Sequence, residues 1–380
     1  MMTHILYLSH CGSSIGGGEK QLYYLVTNLD AAHYQPIVVC PDDGAFAEQL
    51  RNASIPTFIF PLPAWRKAKS LLSRYVAASR LVKFAEAQKI GLVHTSDSWH
   101  NPYLLRVSRK LGIPSVSHVR TSIRPDQVKN YRFKEVSEII SISERFKPPF
   151  LQAGIPPGKI TFIHDGVDLN LFRDEPPAVN VLSRDFSTDG KVLVGLVGRI
   201  EPFKKQLEFL QATEIVLKSR KDVSFFLIGG VQSKSYFEQV KGFIADKGLE
   251  QHVICTGERN DMPEVMASLD ILVTLSGGSV VFEAMACGVP VILVRKMPPS
   301  NLSWEIVRDG ETGLLIPHDE IPPLAEAMLR FINDPELRKR MGKAGRRWAE
   351  EEFSHIQMAR QTQAIYDKLV RLSTGNEEGG

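Results

Sequence analysis

The chain has 380 residues, 43% hydrophobic and 23% charged, which is the balance of a soluble globular protein long enough for two domains. Cys11, Cys40, Cys255 and Cys287 stand at no paired spacing, so neither a disulfide framework nor a zinc site is indicated, and no run reaches the ~18 apolar residues of a spanning helix. The net charge of +3 is uneven: residues 1–175 hold 21 Lys/Arg against 15 Asp/Glu, and the remainder 25 against 28, so the first half favours an anionic partner or surface but not nucleic acid.

MMTHILYLSH enters a strand pattern with no basic leader or long apolar run, so no secretory signal is expected and a reducing cytosol fits. Strand-like runs then recur at 4–10, 36–40, 57–60, 92–96, 114–119, 138–143 and 160–164. Helical stretches such as 19–29 and 101–112 separate them. Near-continuous apolar strands alternating with amphipathic helices predict a parallel sheet covered on both faces. DEPPAVNVLSRDFSTDG, 174–190, breaks the rhythm and reads as a linker. Strands resume at 191–199, 223–230, 252–257, 271–276, 290–294 and 313–317, followed by helices centred near 335–350 and 356–372. The tail 374–380 is expected to be disordered. The expected fold is α/β: two doubly wound, Rossmann-like parallel-sheet domains, 1–173 and 191–354, facing a central cleft. Ligands on such sheets bind beyond the carboxyl ends of the strands, so the loops there are the candidates.

CGSSIGGGEK, 11–20, follows the first strand but completes neither a Walker A loop nor a dinucleotide fingerprint, which argues against a Rossmann dehydrogenase. It reads as a glycine loop, with Gly17 and Gly18, opening a helix onto a ligand, or as a tight turn alone. GRIEPFKK, 198–205, places Arg199 and Lys204 after a strand, where two cations clamp a diphosphate or simply make a solvated basic turn. SGGSVVFEAMACGVPVI, 276–292, runs from Gly278, Ser279 and Val280 into a helix carrying Glu283 among apolar neighbours. No Ser or Thr stands three residues before Glu283, so a capping box does not explain it. A buried carboxylate there needs a polar partner such as a ligand; the alternative is a glutamate facing solvent. His10, His94, His118 and HDGVD, 164–168, also lie at strand ends; Arg120 and Arg124 follow His118.

In this order the segments resemble the retaining GT-B glycosyltransferases of family four, over nearly the whole chain. Gly16–Glu19 matches the family's glycine loop, SISERF (141–146) with ITFIHDGVDLNLF (160–172) its passage closing the first domain, and VGRIEPFKK its Gly-Arg-Leu-x-x-x-Lys loop. FEAMACGVPVI (282–292) and DGETGLLIP (309–317) match its most distinctive stretches. The resemblance implies transfer of a sugar from a UDP-, GDP- or ADP-sugar with no obligatory metal or other cofactor. Arg199 and Lys204 would neutralise the diphosphate, with Gly17, Gly18, Gly278, Ser279 and Val280 beside the donor. Glu283 would accept from the ribose hydroxyls, and His118 would stand near the transferred sugar. The helix 355–373 would cross back to the first domain.

Two departures stand out. Leu275 occupies the position of the glutamate the family usually carries eight residues before Glu283, and HDG (164–166) replaces Pro-Asn-Gly. KMPPSNLSWEI, 296–306, also replaces the common Gly-Gly-x-x-Glu loop. A GT-B sugar-nucleotide epimerase and a weakly active carbohydrate-binding homologue are therefore the alternatives.

Residues 63–88 carry Trp65, Arg66, Lys67, Lys69, Arg74, Arg80 and Lys83, with Leu71, Leu72, Tyr75, Val76 and Leu81 as an apolar side. A helix docked on its own sheet looks this way, and so does one resting on an anionic membrane. The second reading implies a cytoplasmic enzyme, peripheral on the inner membrane face, with a glycan or lipid-linked acceptor of the surface-polysaccharide or lipopolysaccharide type. Flotation with anionic liposomes is its test.

Overall fold

The computed structural model describes residues 2–65, 71–175, 179–188, 190–295, 305–317 and 320–374. Arg66, Lys67, Lys69, residues 296–304 and the tail 375–380 lie outside the described residues. The chain divides into two units, Met1–Gly166 with His355–Gly380, and Val167–Ser354.

The first unit is built on seven parallel strands: β1 (Thr3–Leu8), β2 (Tyr34–Cys40), β3 (Thr57–Ile59), β4 (Ile90–Thr95), β5 (Ser115–Val119), β6 (Glu138–Ser141) and β7 (Ile160–Phe162). Their spatial order is β3-β2-β1-β4-β5-β6-β7. Central strands such as β1 and β4 are apolar on both faces because helices cover both. On one face Ile5, Tyr7, Leu92, Val116 and Ile140 pack with Leu22 and Leu25 of the helix Gly17–Thr27 and with Met358, Ala359 and Tyr366 of the helix His355–Thr374. The helix Leu71–Ala87 divides the apolar side expected of it. Leu81 is buried with Ala77, Ala78 and Ala85, but Leu72 is 79% exposed and Tyr75 and Val76 also face solvent. Those three precede the turn that meets the sheet, so only the second half of the helix docks on its own domain.

The second unit has six parallel strands: β8 (Val192–Val197), β9 (Val223–Ile228), β10 (Val253–Gly257), β11 (Ile271–Thr274), β12 (Val291–Val294) and β13 (Gly313–Ile316), in the order β10-β9-β8-β11-β12-β13. Phe209 and Leu210 of the helix Gln206–Val216 and Met328 and Phe331 of the helix Ile321–Asn333 cover one face, against Val194, Phe225 and Ile292. The helix Ile321–Asn333 escapes a sequence reading because Pro322 and Pro323 look like a break, yet proline is tolerated in a helix's first turn, where the N–H groups have no partner anyway. A short helix, Val181–Phe186, lies inside the segment read as a linker; Asn180 caps it, its side chain accepting from the Ser183 N–H at 2.9 Å.

Each sheet reverses its strand order once, between β1 and β4 in the first unit and between β8 and β11 in the second. Those reversals open crevices at the carboxyl ends of the strands.

Candidate functional site

The second unit's crevice receives both loops singled out in the sequence. Gly198 leaves β8 at φ +153, and Gly229 leaves β9 at φ +147. A Cβ on Gly229 would sit 2.4 Å from the Gly198 carbonyl oxygen, so only glycine lets the two strand ends close this tightly. The chain then makes a turn of 3-10 helix, Pro202–Lys204, before the helix Gln206–Val216. Lys204 folds back over the strand end, and its stem would lie 3.1 Å from a Cβ on Gly198. Burial lowers the Lys204 ammonium from its ordinary value, with Glu201 opposing and Arg199 reinforcing the shift. Arg199 is 65% exposed and pairs with Glu201 at 3.2 Å. Buried Gln206 holds the loop from below, donating to the Arg199 carbonyl at 2.9 Å. The loop thus presents one partly desolvated and one solvent-exposed cation at a single strand end.

Beside it, Gly277 and Gly278 leave β11 at φ +66 and +111. The Thr274 hydroxyl accepts from the Gly277 N–H at 3.0 Å, and open space surrounds the position of a Gly278 Cβ. Ser279 precedes the helix Val280–Ala286, in which Glu283 is buried with Val281, Phe282, Ala284 and Met285. The solvent-facing reading of Glu283 is therefore excluded. Burial pushes the Cys287 thiol, one turn on, up to about 12, and the charge of Glu283 adds to that shift. Leu275 joins the core with Val273, Ile292 and Val294. Its side chain leaves the strand toward the apolar layer, so nothing at this position faces the crevice.

In the first unit, Gly16 precedes the helix Gly17–Thr27, and Glu19 accepts from the Gly16 N–H at 3.0 Å. Glu19 is thus a capping carboxylate that braces the glycine loop. A Cβ on Gly18 would lie 4.0 Å from Cδ of Arg120, which brings the loop to the residues beyond β5. Gln21, which sequence reasoning overlooked, donates to and accepts from the Gly166 backbone, both at 2.7 Å. Only a glutamine one turn into the helix hinted at this tie.

His118, the penultimate residue of β5, is buried and stacked on His94 with centroids 5.7 Å apart. Its Nδ1 lies 3.3 Å from Arg120 Nη2. A guanidinium only donates, so Nδ1 is the acceptor and the proton of the neutral ring resides on Nε2. Among the described residues Nε2 has no hydrogen-bond partner. Arg120 also meets Asp165 at 3.5 Å; burial raises the Asp165 carboxyl and Arg120 opposes the shift. His94 receives the other side of the stack, its Nδ1 2.6 Å from the Tyr366 hydroxyl, which itself meets Tyr7 at 3.1 Å. The sequence-predicted His118, Gly17 and Gly18 therefore gather in the first unit, and Arg199, Lys204, Gly278, Ser279, Val280 and Glu283 in the second.

Burial and the Arg120 cation hold His94 down to about 3, and burial, Arg120 and His94 hold His118 well below its ordinary value. Unfolded imidazoles titrate near 6.5, so below that pH the unfolded chain binds protons that the native chain refuses. Stability is fully present above about pH 6.5 and declines by about 1.4 kcal/mol per pH unit per histidine as the pH falls toward the folded value. Melting temperature is expected to fall from pH 7 to 4.5, and His94→Gln to flatten that slope. An unchanged slope in the variant would contradict the assignment.

Two family models match the chain: glycosyl transferases group 1 over residues 183–348, and glycosyltransferase family 4 over residues 15–171. A Mycolicibacterium smegmatis GDP-mannose-dependent alpha-(1-6)-phosphatidylinositol monomannoside mannosyltransferase is 26% identical over 231 residues, 57% of this chain but only 59% of that relative's length. An Escherichia coli UDP-Gal:alpha-D-GlcNAc-diphosphoundecaprenol alpha-1,3-galactosyltransferase is 24% identical over 79% of this chain and 80% of its own. The fold is that of Anabaena HepE, crystallised with UDP: TM-score 0.84 at 22% identity, covering 97% of this chain and 100% of that one.

Proposed function

Since the chain belongs to the GT-B glycosyltransferases of family four, we propose that it moves a sugar, with retention, from a nucleotide diphosphate sugar to a glycan or lipid-linked acceptor. The observation that carries this reading is the glycine-packed loop of β8, which sets Lys204 and Arg199 at one strand end, while the buried Glu283 follows the neighbouring strand β11. In the transfer the bond between the anomeric carbon and the diphosphate oxygen breaks, and its electron pair stays on the diphosphate. The acceptor oxygen bonds the anomeric carbon and passes its proton to the departing diphosphate oxygen. Lys204 and Arg199 offset the charge that builds on the leaving group. Glu283 accepts from the ribose hydroxyls, and Gly278, Ser279 and Val280 leave room beside the phosphates. His118 offers Nε2–H to a hydroxyl of the transferred sugar.

The names of the relatives support a bacterial surface-polysaccharide or lipid-linked setting: one acts on a phosphatidylinositol mannoside, another on a diphosphoundecaprenol sugar. Peripheral contact with an anionic lipid surface belongs to the same reading. Exposed Leu72, Tyr75 and Val76 support it, since they lie on a helix that also carries Arg74, Arg80 and Lys83. Among the described residues no helix is long and apolar enough to cross a membrane.

Incubation with UDP-, GDP-, ADP- and TDP-sugars, with and without lipid-linked and free glycans, tests the proposal. Nucleotide release that requires an acceptor is expected. An epimerised sugar nucleotide without transfer, or binding without turnover, would overturn it.

A further inference from the structure

The proposed chemistry leaves one corner of the first unit unused, and it lies at that sheet's strand-order reversal. His10 follows β1 and the segment Ser96–His100 follows the neighbouring β4. Asp97 organises both. Its Oδ1 accepts from the N–H groups of Trp99 at 2.6 Å and His100 at 3.2 Å. Its Oδ2 lies 3.0 Å from His100 Nδ1 and 3.6 Å from His10 Nδ1. The Asp97 side chain is only 15% exposed. Burial alone would raise its carboxyl, but His100 and His10 draw it well below the usual range. One ionised, sheltered carboxylate therefore holds the Trp99 backbone and faces the His10 imidazole, and both residues are themselves open to solvent, His10 with 60% of its side chain exposed and Trp99 54% exposed. The Asp97 carboxylate raises the His10 imidazole above its ordinary value, so with Nδ1 turned to the carboxylate the charged ring presents Nε2–H outward as a donor and the neutral ring a bare Nε2. Trp99 is steadied by an edge contact to Tyr131, centroids 5.8 Å apart.

A lone exposed tryptophan is ordinary surface. A tryptophan whose backbone is held by a carboxylate, and an imidazole turned to that same carboxylate, make a built arrangement where such sheets bind ligands. Its chemistry is that of sugar recognition: a pyranose has an apolar C–H face that an indole covers and hydroxyls that can both accept from and donate to an imidazole nitrogen. We propose that His10, Asp97 and Trp99 form a subsite for a sugar residue of the acceptor, with Trp99 under the ring and His10 Nε2 hydrogen-bonded to a hydroxyl. The acceptor thus ends in a glycosyl residue and is not a bare lipid alcohol or an amine. Asp97 is a positioning residue, acting through the other two. The subsite deepens the transferase reading and rests on it for the word acceptor.

Saturation-transfer NMR on the full chain with UDP tests it, using methyl α-galactoside, methyl α-mannoside and methyl N-acetyl-β-glucosaminide as probes. Transfer to ring C–H protons of at least one glycoside is expected. It should fall about fivefold or more in Trp99→Ala, recover in Trp99→Phe, and fall in His10→Ala. Both side chains altered are exposed, so melting temperatures should stay near the wild type and verify the fold. No transfer to any glycoside by the wild type, or undiminished transfer in Trp99→Ala and His10→Ala, overturns the subsite. Donor turnover is measured separately on the wild type; its failure removes the transferase reading, whereas the saturation transfer alone decides whether a sugar sits at Trp99.

Discussion

Lys204→Ala is expected to lower kcat/KM by about 10²–10³-fold, and Arg199→Ala by a smaller but still large factor, each with the melting temperature preserved. The two cations differ in surroundings. Lys204 is partly desolvated: its stem lies on Gly198, and burial depresses its ammonium. A charge held out of water interacts more strongly with a neighbouring diphosphate, because less solvent screens the pair. Arg199 projects into solvent and is shared with Glu201, a pair of the kind that contributes about 0–1 kcal/mol. It therefore costs little to redirect to a phosphate and delivers less when it arrives. Lys204→Arg should not restore activity, since the bulkier guanidinium cannot follow a stem pressed 3.1 Å from the Gly198 Cβ position. Steady-state kinetics with the active sugar nucleotide and a thermal melt decide the matter. Near-normal rates in both alanine variants would sink the phosphate-clamp assignment.

What the sequence made legible follows from the range of the interactions involved. The alternation of strands and helices, and the loops after β1, β8 and β11, are local patterns, and they sit at the strand-order reversals where ligand loops belong. The burial of Glu283 was also readable, since its neighbours Val281, Phe282, Ala284 and Met285 are apolar. Pairings across the fold were not. HDG looked like a simple departure from Pro-Asn-Gly, yet Asp165 meets Arg120, which lies 45 residues earlier on a different strand end. Nothing local in either segment announces the other. Asp97 was passed over for the same reason: its partner His10 belongs to β1's end, and only the pairing of β1 with β4 brings them together. The exposed Leu72, Tyr75 and Val76 went astray in a different way, because a helical stripe shows which residues share a side but not how far along the helix the sheet extends.

The Asp165–Arg120 pair gives His118 a defined protonation, and that has a kinetic consequence. Arg120 occupies the His118 Nδ1 lone pair, and burial with the nearby cation keeps the ring neutral. His118 is then a hydrogen-bond donor through Nε2 and not a titrating acid or base. His118→Ala is expected to cost about 10²–10³-fold in kcat/KM if that donor meets charge developing in the transition state. The wild-type rate should show no ionisation assignable to His118 near pH 6.5. Arg120→Met removes both the Nδ1 partner and the cation, but strands Asp165 in a buried place; Arg120→Met with Asp165→Asn removes the stranded carboxyl as well. In that double variant the imidazole is free to take either tautomer, and its value rises, although burial, the larger cause of its depression, still holds it below the ordinary one. Its kcat/KM should fall about tenfold and acquire an acid limb at lower pH that the wild type lacks, because a larger share of the rings becomes protonated and mispaired. A profile as flat as the wild type's would mean that Arg120 braces the fold without governing His118.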